Sequence, residues 1–342
     1  MIFLRNKTLF ILTAACLLSP PLHICSAQEG IPAESQQYQE EGTLSPPDYM
    51  SPEPQPYEEE GTLSPPGSHA EEGTLGAPSG NSTSIFSQAG QSEPVKEIYL
   101  DDSLPFAQYS VIHTGAAKLY TSDVCGHTIC INAGHGTSGG DSAQTLCHPD
   151  GSPKVTGGTT EAGATYAMAV SYGCTMIDGT PESSVTLSLA LILRDLLLQN
   201  GYNVLMIREG ADIQLDNVAR TVLANNYADV HLALHYDSTA SDKGFFYLGV
   251  PDVASYRAME PVASVWPLHE ELGQHLVSGI QQEGLPIYGG GRMEMDLTQT
   301  SYSTIPSLDV EVGDTASDHS AAYQTRIARG ILAGLNSFFG VE

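Results

Sequence analysis

GYNVLMIREGADIQLDNVARTVLANNYADVHLALH, residues 201–235, decides how the chain is read. NVLMI (203–207) and DVHLALH (229–235) are short apolar runs bounded by glycine, charge or polar residues, the signature of buried strands. The segment between them predicts a helix over 213–226. Outward from this unit, HTICINAG (127–134) reads as another buried strand. SSVTLSLALILRDLLLQNG predicts a long helix that starts just after Pro181 and Glu182 and is capped at Gly201. Further helices are expected over about 262–283 and 318–338, with a strand in SLDVEVG before the last. Strands alternating with helices predict an α/β fold, a single domain whose mostly parallel or mixed twisted sheet is flanked by helices.

The first quarter of the chain is different material. Residues 1–27 carry Arg5 and Lys7, an apolar run, and a small-residue ending at CSA, the layout of a signal peptide cleaved for release rather than lipidated. Residues 28–94 repeat EEGTL at 40–44, 59–63 and 71–75 and contain no Lys or Arg. Such composition cannot bury enough apolar surface to offset chain entropy, so a disordered acidic tether is expected. Residues 95–127 are read as a lead-in and 128–342 as the catalytic domain. A formal charge of −27 would repel a phosphate backbone, which argues against nucleic acid, and no membrane insertion is expected once the signal is removed. After signal removal Cys125, Cys130, Cys147 and Cys174 remain, outside the reducing cytosol. Two disulfides are expected, in one of three connectivities; no CxxC pair supports a cysteine zinc site.

His135, flanked by glycines, and His235 each close an apolar run, and open α/β sheets build their sites at the carboxyl ends of strands. HLALH does not suit a helical zincin motif, because position 232 is Leu and the run reads as a strand. On a strand His231 lies about 13 Å from His235 at about 3.3 Å per residue, so His231 is taken as structural. Zinc sites that catalyse take three protein ligands, often mixing His and carboxylate. Glu182, at the head of the long helix, is the candidate carboxylate, against the alternative of a helix-start residue favoured by the helix dipole. Glu311 sits among apolar neighbours where a charge is costly without a partner, and Asp309 shares its face.

The order of these residues from about Thr128 to Phe339 resembles zinc-dependent N-acetylmuramoyl-L-alanine amidases. The likeness is carried by INAGHG, by PESS before the helix, by residues 201–235, and by IPSLDVEVG. It implies Zn2+ held by His135, Glu182 and His235, Glu311 as general base, and a peptidoglycan substrate cut between muramic acid and L-alanine. It also implies a secreted or cell-envelope location, structural roles for Arg208 and Arg220, and an activator protein as an open question. The chain departs from the family pattern at Asp309, where an aliphatic residue is usual, at Ile207, and in the loose ending GDTASDHSAA. Two other functions remain at this stage, a zinc peptidase acting on stem peptides and a wall-binding protein that keeps only the fold. The long stretch 139–179 reads either as a disulfide-pinned flap over the site or as an inert surface excursion.

Overall fold

The computed structural model describes residues 95–341 apart from Asp123; the signal and tether expected over 1–94 lie outside the described residues. Its elements run β1 (Lys96–Tyr99), β2 (Ala116–Tyr120), β3 (Thr128–Ala133), β4 (Gln144–Leu146), β5 (Tyr166–Met168), α1 (Glu182–Gln199), β6 (Asn203–Met206) and α2 (Asn217–Tyr227). They continue with β7 (Val230–Asp237), β8 (Phe245–Gly249), α3 (Ala254–Arg257), α4 (Val262–Gln282), β9 (Ile287–Glu294), α5 (Thr298–Tyr302), β10 (Ser307–Asp314) and α6 (Ala321–Phe339). Eight strands form one mixed sheet in the order β1-β2-β6-β3-β7-β10-β8-β9, with β4 and β5 pairing separately. The central run β6, β3, β7, β10 is parallel, and β2 and β8 flank it antiparallel. The expected α/β domain with a mixed sheet and flanking helices is what forms.

Alternation along the strands decides what each face meets. Ile129 and Ile131 of β3, Leu232 and Leu234 of β7, and Leu308 and Val310 of β10 join one large core with α1, α4 and α6. Cys130 and Leu205 point to the other face, where they pack with Leu215, Ala219 and Leu223 on and beside α2. On that second face the remaining strands carry His235, Asp309, Glu311, Phe246 and Leu248, and these side chains line a cavity instead of a helix. α4 and α6 approach closely: a Cβ on Gly279 would lie 2.5 Å from the Gly334 nitrogen.

Helix ends follow local chemistry. α1 begins at Glu182, and Gly201 follows its end with φ 85°, the left-handed residue anticipated there. α2 starts at Asn217, four residues later than expected, because Asp216 is its N-cap and accepts from the Ala219 N–H at 2.8 Å. The other carboxylate oxygen of Asp216 takes Ser110 Oγ and the N–H groups of Val111 and Ile112, tying the segment before β2 to this helix. Residues 95–127, read as a lead-in, supply strands β1 and β2 of the main sheet. Lys96 and Glu97 interrupt the apolar pattern because β1 is the edge strand, and Lys118 of β2 does so by reaching Glu209 Oε2 at 2.8 Å.

The disulfide expectation is overturned. Cys125, Cys130, Cys147 and Cys174 are all free. Cys130 is sealed on the α2 face while Cys125 packs against the core on the opposite face of the sheet, so the strand layer itself stands between them. Cys147 is buried at the end of the small hairpin, and Cys174 sits beside Glu182 with its Sγ 3.5 Å from the Tyr236 carbonyl. His231 is fully buried, touches Ser307 Oγ at 3.3 Å, and is lowered to a pKa of about 3 by burial, in keeping with a neutral structural histidine.

Candidate metal centre

Three different elements deliver three side chains to one point. β3 ends at Ala133, and the chain turns through Gly134 into His135, which holds φ 64° in the left-handed region. That conformation is costly for a residue with a Cβ, and the surroundings enforce it. Arg220 donates to the His135 carbonyl at 2.8 Å, to Thr137 Oγ1 at 2.8 Å and to Asn132 Oδ1 at 3.0 Å. Arg208 donates to the carbonyls of Ala133 (3.0 Å), Gly134 (2.8 Å), Ser183 (2.6 Å) and Gly210 (3.0 Å), fastening the β3 turn to the head of α1. Both guanidinium groups are buried, and burial lowers them to about 10 for Arg208 and about 9 for Arg220. Their hydrogen bonds thus go to carbonyl, amide and hydroxyl oxygens, not to carboxylates. The glycines around His135 make room for protein, not for a substrate: a Cβ on Gly134 would lie 2.4 Å from the His235 ring, and one on Gly136 2.8 Å from Arg208.

Glu182 is the first residue of α1 and is 3% exposed. Its Oε1 accepts from the Tyr236 N–H at 3.0 Å and its Oε2 from the Cys174 N–H at 2.8 Å. His235, on β7, completes the group. His135 Nε2 lies 2.9 Å from Glu182 Oε1 and 3.1 Å from His235 Nδ1, and that Nδ1 lies 3.2 Å from the same Oε1. His135, Glu182 and His235 are the one His/Cys/Asp/Glu group among the described residues arranged to hold a metal ion.

The donor set fits zinc. A tetrahedral ion with ligands at about 2.1 Å separates neighbouring ligand atoms by about 3.4 Å, close to the sides of this triangle. His135 Nδ1 lies 2.8 Å from the Ser171 carbonyl, which can only accept, so the ring proton is held there and Nε2 presents a lone pair to the triangle. Lone pairs converging on one point need a proton or a cation between them. Burial would raise the Glu182 carboxyl, but the His135 and His235 rings set against it outweigh burial and hold the group well below the usual carboxylate range. Burial likewise works against charge on His235, yet Asp309 and Glu182 together raise it to about 10. The position of the triangle therefore favours positive charge, and a divalent cation competes with the proton for it.

β10 lies parallel to β7 with Glu311 opposite His235 and Asp309 opposite Ala233. Asp309 Oδ2 is 3.6 Å from His235 Nε2, while Asp309 Oδ1 and Glu311 Oε2 are buried without a hydrogen-bond partner. Burial, reinforced by Asp309, pushes the Glu311 carboxyl well above its ordinary value, and burial also raises Asp309. The triangle and both carboxylates open into a cavity of about 700 Å³, whose walls include Met168, Tyr172, Phe246, Leu248 and Met295.

The stretch 139–179 is neither a disulfide-pinned flap nor inert. It forms one wall of that cavity and touches two members of the triangle, through the Ser171 carbonyl on His135 and the Cys174 N–H on Glu182. Between them Gly173 has φ 83°, and a Cβ there would fall 2.6 Å from Glu182 Oε2 and 2.6 Å from the His135 ring. The wall is anchored at its far side by Asp296, which takes His148 Nε2 at 3.0 Å, Lys154 Nζ at 3.1 Å and the Val155 N–H at 2.6 Å. Sequence reasoning missed Ser171 and Cys174 because they act through backbone atoms, for which only the glycine left a trace.

Comparison with known proteins gives a consistent result. A family model described as N-acetylmuramoyl-L-alanine amidase matches residues 129–337. The crystal structure of the N-acetylmuramyl-L-alanine amidase Ami1 from Mycobacterium smegmatis is similar to this chain with a TM-score of 0.52 at 18% identity, over 64% of this chain and 99% of that one. Apo Ami1 from Mycobacterium abscessus is similar with a TM-score of 0.50 at 20% identity, over 63% and 99%. At these identities the likeness is one of fold. No curated protein matches the chain.

Proposed function

The chain belongs to the N-acetylmuramoyl-L-alanine amidase family, and from that premise we propose that it hydrolyses the amide bond between N-acetylmuramic acid and L-alanine in peptidoglycan with the help of zinc. The observation that carries the metal assignment is the triangle of His135 Nε2, Glu182 Oε1 and His235 Nδ1, with sides of 2.9–3.2 Å. When bound, zinc supplies the Lewis acidity that makes water a nucleophile at neutral pH and polarises the scissile carbonyl.

The protein's own groups do the rest. His135, Glu182 and His235 hold the ion, with Ser171 orienting the His135 ring and Cys174 and Tyr236 orienting the Glu182 carboxylate. Glu311, whose Oε2 has no hydrogen-bond partner among the described residues, accepts the proton of the attacking water and passes one to the departing amine of L-alanine. Cys174 is no rival nucleophile, since burial pushes its thiol up to about 12. The cavity walls of apolar and polar side chains receive the muramoyl group and the start of the stem peptide. No helix among the described residues is long and apolar enough to cross a membrane. Since peptidoglycan lies outside the cytoplasmic membrane, action in the cell envelope follows from the substrate.

Purified protein is tested on intact peptidoglycan, with products identified by mass spectrometry and bound metal by elemental analysis. Peptides that begin with free L-alanine, unsubstituted muramic acid and one zinc per chain are expected. Cleavage only within stem peptides would make the protein a peptidase, and no cleavage with no zinc would leave a wall-binding role. Glu311→Gln is expected to keep zinc and lose turnover by about 100-fold or more.

A further inference from the structure

We infer that Asp309 is a positioning residue that holds the His235 ring with Nδ1 turned to the ligand triangle and so leaves Glu311 free to handle protons. The inference rests on the reading of His135, Glu182 and His235 as the zinc-holding set.

The strand register sets up the arrangement. Asp309 and Glu311 are two apart on β10 and share the face that meets His235 on β7. A carboxylate in the middle of a central strand, with one oxygen buried and unpartnered, is expensive to fold around. The imidazole is the cationic or proton-bearing partner within reach: the carboxylates in ion-pair range of His235 are Glu182, at Nδ1, and Asp309, at Nε2. Each ring nitrogen therefore has its own carboxylate, on opposite sides of the ring.

That division settles the tautomer. An imidazole that offers the Nδ1 lone pair to a metal carries its proton on Nε2, and Nε2 faces Asp309 Oδ2 at 3.6 Å. The separation is longer than a direct hydrogen bond, so Asp309 acts through its field at close range. Its negative charge disfavours the flipped ring, which would turn a lone pair towards it, and makes Nδ1 a better donor. Glu311 stands directly opposite His235 in the register, yet its Oε2 has no partner. With Asp309 facing Nε2, Glu311 is not drawn into the same contact. One carboxylate orients the ligand and the other is left for water.

The test compares Asp309→Leu, Asp309→Asn and Glu311→Gln with the unaltered protein. Zinc affinity is read by competition with a chromogenic chelator, and the ligand field by the visible spectrum of the cobalt-substituted protein. Asp309→Leu is expected to weaken zinc binding by about 10- to 100-fold and to shift the cobalt bands, with Asp309→Asn in between and Glu311→Gln changing affinity by less than about threefold. A folded Asp309→Leu protein with zinc affinity within about twofold of the original and an unshifted cobalt spectrum overturns the assignment. Should Asp309→Leu not fold, Asp309→Asn decides on the same two readouts, and unchanged values overturn it equally. An unaltered protein that binds no zinc overturns the ligand set itself, an outcome distinct from normal zinc binding in every variant.

Discussion

Gly173→Ala concentrates two effects that can be separated. The residue has φ 83°, where an alanine Cβ meets the backbone carbonyl at a cost of about 1–2 kcal/mol. The new methyl would also sit 2.6 Å from Glu182 Oε2 and 2.6 Å from the His135 ring. Bringing those contacts out to about 3.5 Å requires displacements of about 0.9 Å, beyond the roughly 0.5 Å within which a site keeps its working geometry. Crowding of this kind costs about 1–3 kcal/mol in a packed region. Gly163 supplies the control, because it lies in the same 139–179 stretch with φ 87° but has nothing within 4 Å of the added carbon. Gly163→Ala should therefore lose only the backbone share, about 1–2 kcal/mol, with zinc affinity and turnover intact. Gly173→Ala should lose about 2–5 kcal/mol in urea unfolding of the metal-free protein, and zinc affinity by about tenfold or more. Equal stability losses in the two variants, with zinc retained in both, would refute the claim that this wall holds the triangle in place.

Removing zinc with a chelator should lower the melting temperature, and restoring it to 100 times its dissociation constant should recover about 2.7 kcal/mol of stability; a melt indifferent to metal counts against the site. Arg208→Met takes a buried donor away from the carbonyls of Ala133, Gly134 and Ser183, the last two keeping only Thr186 Oγ1 from the side chains, and urea melts should show a loss of about 3 kcal/mol or more. Dithiothreitol should change neither the melt nor the activity, since the four described cysteines are free, and a thiol reagent should label Cys130 only after unfolding, because that side chain is fully buried.

What could be read from the chain follows from where side chains carry the signal. The central strands β3, β6 and β7 are apolar runs covered on both faces for most of their length, β10 alternates Leu308 and Val310 with Asp309 and Glu311, and α1 is bounded by Pro181 and Gly201, so these elements were legible. β1 and β2 were not, since Lys96, Glu97 and Lys118 disguise the strand pattern. His135, Glu182, His235 and Glu311 stood out by type and position, and the structure gathers the first three within 3.2 Å of one another. Ser171 holds His135 through a carbonyl, and Cys174 and Tyr236 hold Glu182 through two N–H groups; every residue type possesses these atoms, so no letter of the sequence announces them. The cysteine count suggested pairing because it reports a compartment and not a distance, and the sheet separates Cys125 from Cys130.

The two faces of the sheet divide the work of the molecule unequally. The side under α1, α4 and α6 is packed tightly enough that a single carbon on Gly279 would strike the next helix, so almost any change of volume there is paid for in stability. Much of the side bearing His235, Asp309 and Glu311 is closed by loops over a cavity, where Thr159, Thr160 and Met293 on the rim contribute nothing to that main core. Substitutions at such rim positions can alter which wall fragments fit without disturbing the apolar seam that keeps the chain folded. Selection can act on what the protein cuts and on whether it folds through largely separate sets of residues, and a designer can exploit the same separation.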